Sequence, residues 1–414
     1  ENGSELSWDD TNKKVIVSGN LSDKCYVYFD IWIPTIADYC TSGTDLATCV
    51  KNFGDQGVDV SNIYIHDSSL TNGAGDNSYR FAGGDYNLTK KAKKDGRNSI
   101  IGGNNPVVQT LDVDLSNWED VYNSTYYVYY DNIRYFNTFA KALTYAINDG
   151  YLEKDNVKNF VCFGSNEKPC PYDNLYRIIG VFNNHVKLIK ATAGNADILG
   201  TDGAYETDTT YKWSILTSCP SGVALNYNNL TFLANKNIIA APTPITTTGC
   251  FDWKYSELNT INLNTNFINQ LSSKWQSLII NTDWVVKWNA YSDIFWYFNA
   301  SEAFTNEILN TNENNLYNAK IGMMYVSDYA YSASKERWAD NISASKFPWM
   351  FVGEEWTMLS VSDGGKIYID DGSSFSRADS TNVAKISRPV FYLNQNILYD
   401  KGTGTSDNPI RLKF

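Results

Sequence analysis

The chain has 414 residues, and 34 Lys and Arg against 46 Asp and Glu leave a formal net charge of −12. Hydrophobic residues make up 43% and aromatic residues 14%, ample for a packed core, so intrinsic disorder is excluded for most of the chain. The acidic balance argues against a nucleic-acid partner, and no apolar run approaches the ~18 residues of a spanning helix. Residues 1–20 have no signal-type apolar core.

Length suggests about two or three units at ~150 residues each. Val15-Ile16-Val17 and the run from Cys25 to Ile33, separated by a polar turn, predict a strand-rich opening. Residues 35–110 are Gly-rich and predict loops, and the basic run from Lys90 to Arg97 within them reads as a solvated segment. A strand is expected at Tyr126–Tyr130. Phe136, Phe139, Ala140, Leu143, Ala146 and Ile147 then recur at helical spacing ahead of Gly150 and predict a bridging helix over 136–152.

Beyond it the pattern returns to short strands. Ile178–Phe182 and Val186–Ile189, joined at Asn183-Asn184, predict a hairpin. Leu258 to Leu271 suits a short amphipathic helix. Strands are expected at Met323–Asp328, Trp356–Leu359, Lys366–Asp370 and Val390–Leu393. The fold class is therefore α+β and β-rich: a loop-rich N-terminal region (1–135), the bridging helix (136–152) and a C-terminal module (153–414).

None of the seven cysteines forms a Cys-x-x-Cys, which argues against zinc and thioredoxin-type chemistry. Cys40/Cys49 and Cys162/Cys170 bracket short polar loops and suit local disulfides. Cys219/Cys250 would close a third loop and leave Cys25 over. The alternative is a set of buried free thiols. Disulfides imply export, hence an extracellular or cell-surface location.

The ordered series Tyr176–Phe182, Trp253 with Ser256–Asn259, Ile321–Tyr329, Glu355-Trp356-Thr357 and Ser387–Leu393 resembles the C-terminal module of large surface proteins from Gram-positive gut bacteria. Many of those begin with a type IV prepilin-like segment. Their module is similar in pattern to C-type-lectin-like domains, in the branch that includes formylglycine-generating enzymes. The resemblance spans roughly residues 155–414 and implies a lectin-like fold there. The cysteine pair of a formylglycine-generating enzyme has no counterpart after Cys250, so the resemblance implies the scaffold without that activity. It also suggests a Glu355–Arg388 structural tie, which physics supports: an Arg before Pro in an apolar run needs a carboxylate or carbonyls around its guanidinium.

No catalytic constellation is expected. His66 and His185, the two histidines of the chain, read as structural or exposed. Glu354/Glu355 and Asp370/Asp371 are the carboxylate pairs a glycosidase would need, but neighbours on a strand point to opposite faces. No metal or cofactor is expected; Asp112/Asp114 and Asp370-Asp371-Gly372 are weak candidates for Ca²⁺. The Trp-rich stretch offers Trp284, Trp288 and Trp338, which lie among Lys and Asn, as candidate ligand-binding residues. These readings point to a non-enzymatic extracellular protein, a self-associating filament or pilus-like subunit that displays a lectin-like module. The alternatives are a monomeric adhesin for a glycan or host protein and, third, a glycosidase.

Overall fold

The structure, a computed structural model, describes residues 5–9, 14–18, 33–83, 86–88, 101–103, 126–130, 132–136, 142, 145–146, 148–154, 157–216, 250, 252–287, 296–309, 315–344, 348–360, 366–370, 374–378 and 380–414. Cys25, the Lys90–Arg97 run, Asp112, Asp114, Cys219, Trp288 and Asp371-Gly372 lie outside them. The chain divides into two compact units, residues 1–34 and 35–414. In the first, Glu5–Asp9 pairs antiparallel with Lys14–Ser18, Trp8 opposite Val15.

The second unit is mixed α and β with strands dominant over helices. Its first large sheet runs in the order Val390–Tyr392, His185–Lys190, Leu175–Phe182, Tyr79–Phe81, Ile63–Ile65, and Phe160–Cys162 also pairs with Leu175–Phe182. The hairpin at its centre turns at Asn183-Asn184, both at positive φ (48° and 64°), the left-handed conformation that a two-residue turn between twisted strands demands. Asparagine tolerates that region better than most residues. The second sheet runs Tyr205–Thr207, Thr210–Lys212, Ala384–Ile386, Glu355–Ser360, Lys366–Ile369, Phe375–Ala378.

The division expected at residue 135 differs from this arrangement. Ile63–Ile65 and Tyr79–Phe81 belong to the same sheet as strands of the expected C-terminal module, so residues 35–83 share its core. The Leu46–Gly54 helix that precedes them presents Leu46, Cys49, Val50 and Phe53 to that core at helical spacing, and Asp45 caps it by accepting the Thr48 N–H at 2.8 Å. The bridging helix also begins later than expected. Phe136 ends the Asn132–Phe136 strand, the described residues 142, 145, 146 and 148 are helical, and Leu152–Lys154 is already a strand.

Two further expectations change form. Leu258–Phe267 is helical, but as a π-helix continued by Ile268–Gln270. Its Asn262 is buried and satisfies three backbone groups: its amide donates to the carbonyls of Leu199 and Asp202, and its oxygen accepts the Ala204 N–H. Met323–Tyr325 is not part of a strand, and after the extended Tyr325 the chain turns helical over Val326–Ser332. The Asp328 carboxylate accepts the Tyr325 N–H, and Glu307 accepts the N–H groups of Val326 and Ser327, so side chains absorb the donors that a strand would have paired.

Disulfides join Cys40 to Cys49 and Cys162 to Cys170, and Cys250 is disulfide-bonded to a partner outside the described residues. The Glu355–Arg388 tie is formed. Arg388 Nη2 lies 2.7 Å from Glu355 Oε2, both side chains are 1% exposed, and the guanidinium also donates to the carbonyls of Met350 and Lys190. Glu355 is on the second sheet and Lys190 on the first, so this one guanidinium binds the two sheets together.

Candidate functional site

Register across the first sheet sets one row of residues on one face. Tyr64 stands opposite Arg80, Arg80 opposite Gly180, Gly180 opposite Lys187, and Lys187 opposite Tyr392. Directly paired residues share a face, so two cations flank a position with no side chain. Glycine is required there: a Cβ on Gly180 would sit 2.3 Å from the Tyr79 carbonyl oxygen. The gap is roofed by Phe182, whose ring lies 4.7 Å from the Arg80 guanidinium and 5.5 Å from the Lys187 ammonium.

Both cations are buried and both are paired. Arg80 Nη2 lies 2.7 Å from Asp76 Oδ2, and its Nε donates to Ser78 Oγ at 2.7 Å. Lys187 Nζ lies 2.5 Å from Asp328 Oδ2. Burial works against the Lys187 charge, but the Asp328 carboxylate and then the Tyr392 hydroxyl hold its pKa above the ordinary lysine value. Burial also opposes charge on Asp76, and the Arg80 guanidinium together with the hydrogen bonds from Ser78 outweighs it, keeping that carboxyl below its usual range. Glu307, fully buried beneath Val326 and Ser327, is pushed up to about 8 by burial, the two N–H bonds offsetting only part of it.

Arg80, Lys187 and their carboxylates Asp76 and Asp328 line a cleft of about 280 Å³, whose walls are Phe182, Tyr325, Tyr392, Phe304 and Ile308. Its charges balance, two cations against Asp76 and Asp328, and its remaining surface is largely aromatic. An aromatic face beside fixed donors and acceptors suits a small, neutral, hydroxyl-bearing group, which stacks on the rings and exchanges hydrogen bonds with the ion pairs.

Two of the tryptophans expected to bind ligand are core residues instead. Trp284 is 0% exposed, its indole N–H donates to the Ala319 carbonyl at 3.1 Å, and its ring packs on Gly322, where a Cβ would come within 2.6 Å of it. It lies one layer behind the cleft, 5.6 Å from Lys187 Nζ. Trp338 is also 0% exposed, donates to the Ala333 carbonyl at 2.9 Å and packs against Tyr64, His66 and Tyr331. The neighbouring lysines and arginine mark surface in the sequence, but each indole is turned inward because its N–H finds a backbone carbonyl there. Trp288 lies outside the described residues.

His66 is buried, and its Nδ1 accepts the Ala74 N–H at 3.0 Å; burial and then Arg80 push its pKa down to about 2, so it is a neutral packing residue. His185 Nδ1 donates to the Leu393 carbonyl at 2.8 Å. Glu354 and Glu355 are split between two cations, Glu354 with Lys385 at the half-exposed side and Glu355 with Arg388 inside. Asp370 accepts from Ser374 Oγ. Among the described residues no group of three or more His, Cys, Asp or Glu is placed to hold a metal ion.

The cleft residues were missed in the sequence reading, although a signal was present. Arg80 stands between Tyr79 and Phe81, Lys187 between Val186 and Leu188, and Asp328 between Ser327 and Tyr329. A charge inside an apolar run is costly unless paired, so such residues point to buried partners. Comparison with known protein families, curated proteins and solved structures finds no match for this chain.

Proposed function

We propose that the chain is a non-enzymatic, exported binding protein of the bacterial surface, built on a lectin-like module that seats a sugar unit in the cleft between Arg80 and Lys187. The observation that carries the reading is the cleft itself: aromatic walls and balanced buried ion pairs. The disulfides support an oxidising compartment, and the resemblance of residues 155–414 to surface-protein modules supports display outside the cell. The separation of Glu354 from Glu355 speaks for binding over glycoside hydrolysis, which needs two carboxyl groups facing one cleft.

A glycan array probed with the purified chain and with Phe182→Ala tests it. Binding of a defined sugar by the parent, lost in a variant with an unchanged far-UV spectrum, is the expected outcome. An array with no binding at all, or binding that Phe182→Ala leaves intact, removes the reading.

The hairpin of Glu5–Asp9 and Lys14–Ser18 favours a second reading, the filament subunit. It is a two-stranded sheet in a compact unit of its own, and Ile16 is 43% exposed on it. Open strand edges of this kind accept a further strand from another chain. Negative-stain electron microscopy of the chain with and without residues 1–34 tests this: filaments that need those residues support it, and filaments indifferent to them sink it.

A further inference from the structure

A second pocket, of about 190 Å³, opens beside the disulfide loop Cys162–Cys170. Its polar lining is of a different kind from the cleft. Lys401 and Arg411 stand directly opposite one another on the antiparallel pair Leu398–Lys401 and Arg411–Lys413. Like charges directly opposed across a strand pair destabilise it. Lys168, held in the disulfide-closed loop, brings a third cation to the same pocket. The Lys168 amine lies against that of Lys401, and this contact, then the Lys401 charge, pulls its pKa below the ordinary lysine value, with the Asp400 carboxylate opposing.

The Asp400 carboxylate offsets only part of this convergence. The acidic residue of the lining is Asp400, which accepts a hydrogen bond from Ser42 at 3.3 Å, and among the described residues no carboxylate lies within ion-pair distance of any of the three cations. Arg411 donates to Cys162 Sγ at 3.1 Å, a weak acceptor for a guanidinium. Ser165 and Asn166 from the disulfide loop add neutral hydrogen-bonding groups, and Trp275 closes the floor. Three cations thus gather around a single carboxylate, an excess of positive charge that is local in a chain of net charge −12.

We propose that Lys168, Lys401 and Arg411 form a binding site for a tetrahedral oxyanion, a sulfate or phosphate group, either free or esterified on a sugar. An anion seated among the three turns each repulsion into a charge-assisted hydrogen bond. The guanidinium offers two parallel donors to it, and the two ammonium groups serve as point charges. The disulfide supplies rigidity, since Lys168 is carried on a loop closed at both ends. This proposal does not depend on the function proposed for the cleft.

Isothermal titration at constant ionic strength tests it, with sodium chloride replaced by sodium sulfate, by sodium phosphate, by a sulfated monosaccharide or by its neutral parent sugar. The expected result is saturable binding of the sulfate- or phosphate-bearing probes, at least tenfold weakened by Lys401→Gln combined with Arg411→Gln, with the chloride and neutral-sugar arms silent. Tighter binding of the sulfated sugar than of free sulfate identifies the esterified source; equal affinity identifies the free ion. Binding that does not saturate, or that survives in the double variant, overturns the site. Both substitutions lie on partly exposed positions, and a far-UV spectrum and melting curve of the variant verify that it folds. Amide shifts in a nitrogen-labelled sample give a second readout: changes confined to residues 162–170, 398–413 and the neighbourhood of Trp275 are expected, and changes elsewhere contradict the assignment.

Discussion

The two charged regions of the main unit are built on opposite plans. In the cleft every buried cation has its own carboxylate, Arg80 with Asp76 and Lys187 with Asp328, and the sheet separates the two pairs with a glycine. In the pocket beside the Cys162–Cys170 loop, three cations face one another at half-exposed and exposed positions. Burial explains the contrast. A charge removed from water costs several kcal/mol and must be paired within the fold, whereas a solvated lysine tolerates a like neighbour because water and salt screen it. The internal pairs are thus a condition of folding, and the exposed cluster is free to serve something outside the chain.

Substitutions that unpair an internal charge break this contrast most severely. Arg388→Leu leaves Glu355 buried among apolar residues and removes the link between the two sheets. A loss of about 3–5 kcal/mol is expected, read as a lower urea midpoint, whereas Arg388→Leu combined with Glu355→Leu recovers part of it. A midpoint unchanged in the single variant would mean that the pair contributes nothing.

Glu307 gives the next largest effect, and it depends on pH. Its folded pKa of about 8 stands above the ordinary 4.5, so the folded state holds a proton that the unfolded state has released. Its contribution is fully present below pH 4.5 and is lost as pH rises through 8, on the order of a few kcal/mol over that window. Urea titrations from pH 5 to 9 are expected to show this decline in the parent and a flatter profile in Glu307→Gln. His66 has the opposite sign. Its pKa falls from 6.5 to about 2 on folding, so its contribution is lost as the solution is acidified below 6.5, and His66→Phe is expected to reduce acid sensitivity.

Gly180→Ala is expected to cost about 1–3 kcal/mol, because a methyl group there meets the Tyr79 carbonyl and crowds the Phe182 ring. The same change pushes on the Phe182 ring, which lines the cleft, so sugar binding is expected to weaken as well. The smallest effect is on the exposed cluster. Lys401→Gln relieves repulsion and is expected to raise the melting temperature by about 1 °C without added anion. A fall in melting temperature would show that Lys401 makes a stabilising contact after all.

Much of the scaffold was legible in the residues, because local chemistry dictated it. Asn183-Asn184 between two apolar runs specified a hairpin, closely spaced cysteines specified two disulfides, and Arg388 before a proline required a carboxylate. The shared core of residues 35–83 was not legible, since it depends on pairing Tyr79 with Val181 across about a hundred residues. Helix rather than strand at Val326 was hidden for a similar reason: the capping carboxylate of Glu307 comes from another segment. The cleft combines both difficulties. Its charged residues stood out within apolar runs, but what faces Arg80 or Lys187 is set by register and by Gly180, and the exposed-looking setting of Trp284 and Trp338 pointed to the wrong layer.

The indoles buried against the second sheet have an optical consequence. Trp213 and Trp253 lie with ring centroids 4.9 Å apart and planes inclined at 46°, and the Lys366 Nζ stands 3.4 Å over the Trp213 ring. Two chromophores this close and obliquely inclined share their excited states, so their strong ultraviolet transitions combine into a paired positive and negative dichroism band. The Lys366 amine above one ring makes the two chromophores inequivalent. The folded chain therefore carries its own spectroscopic label at the junction of Trp213, Trp253 and Trp356, and loss of that band reports the opening of the second sheet separately from the first.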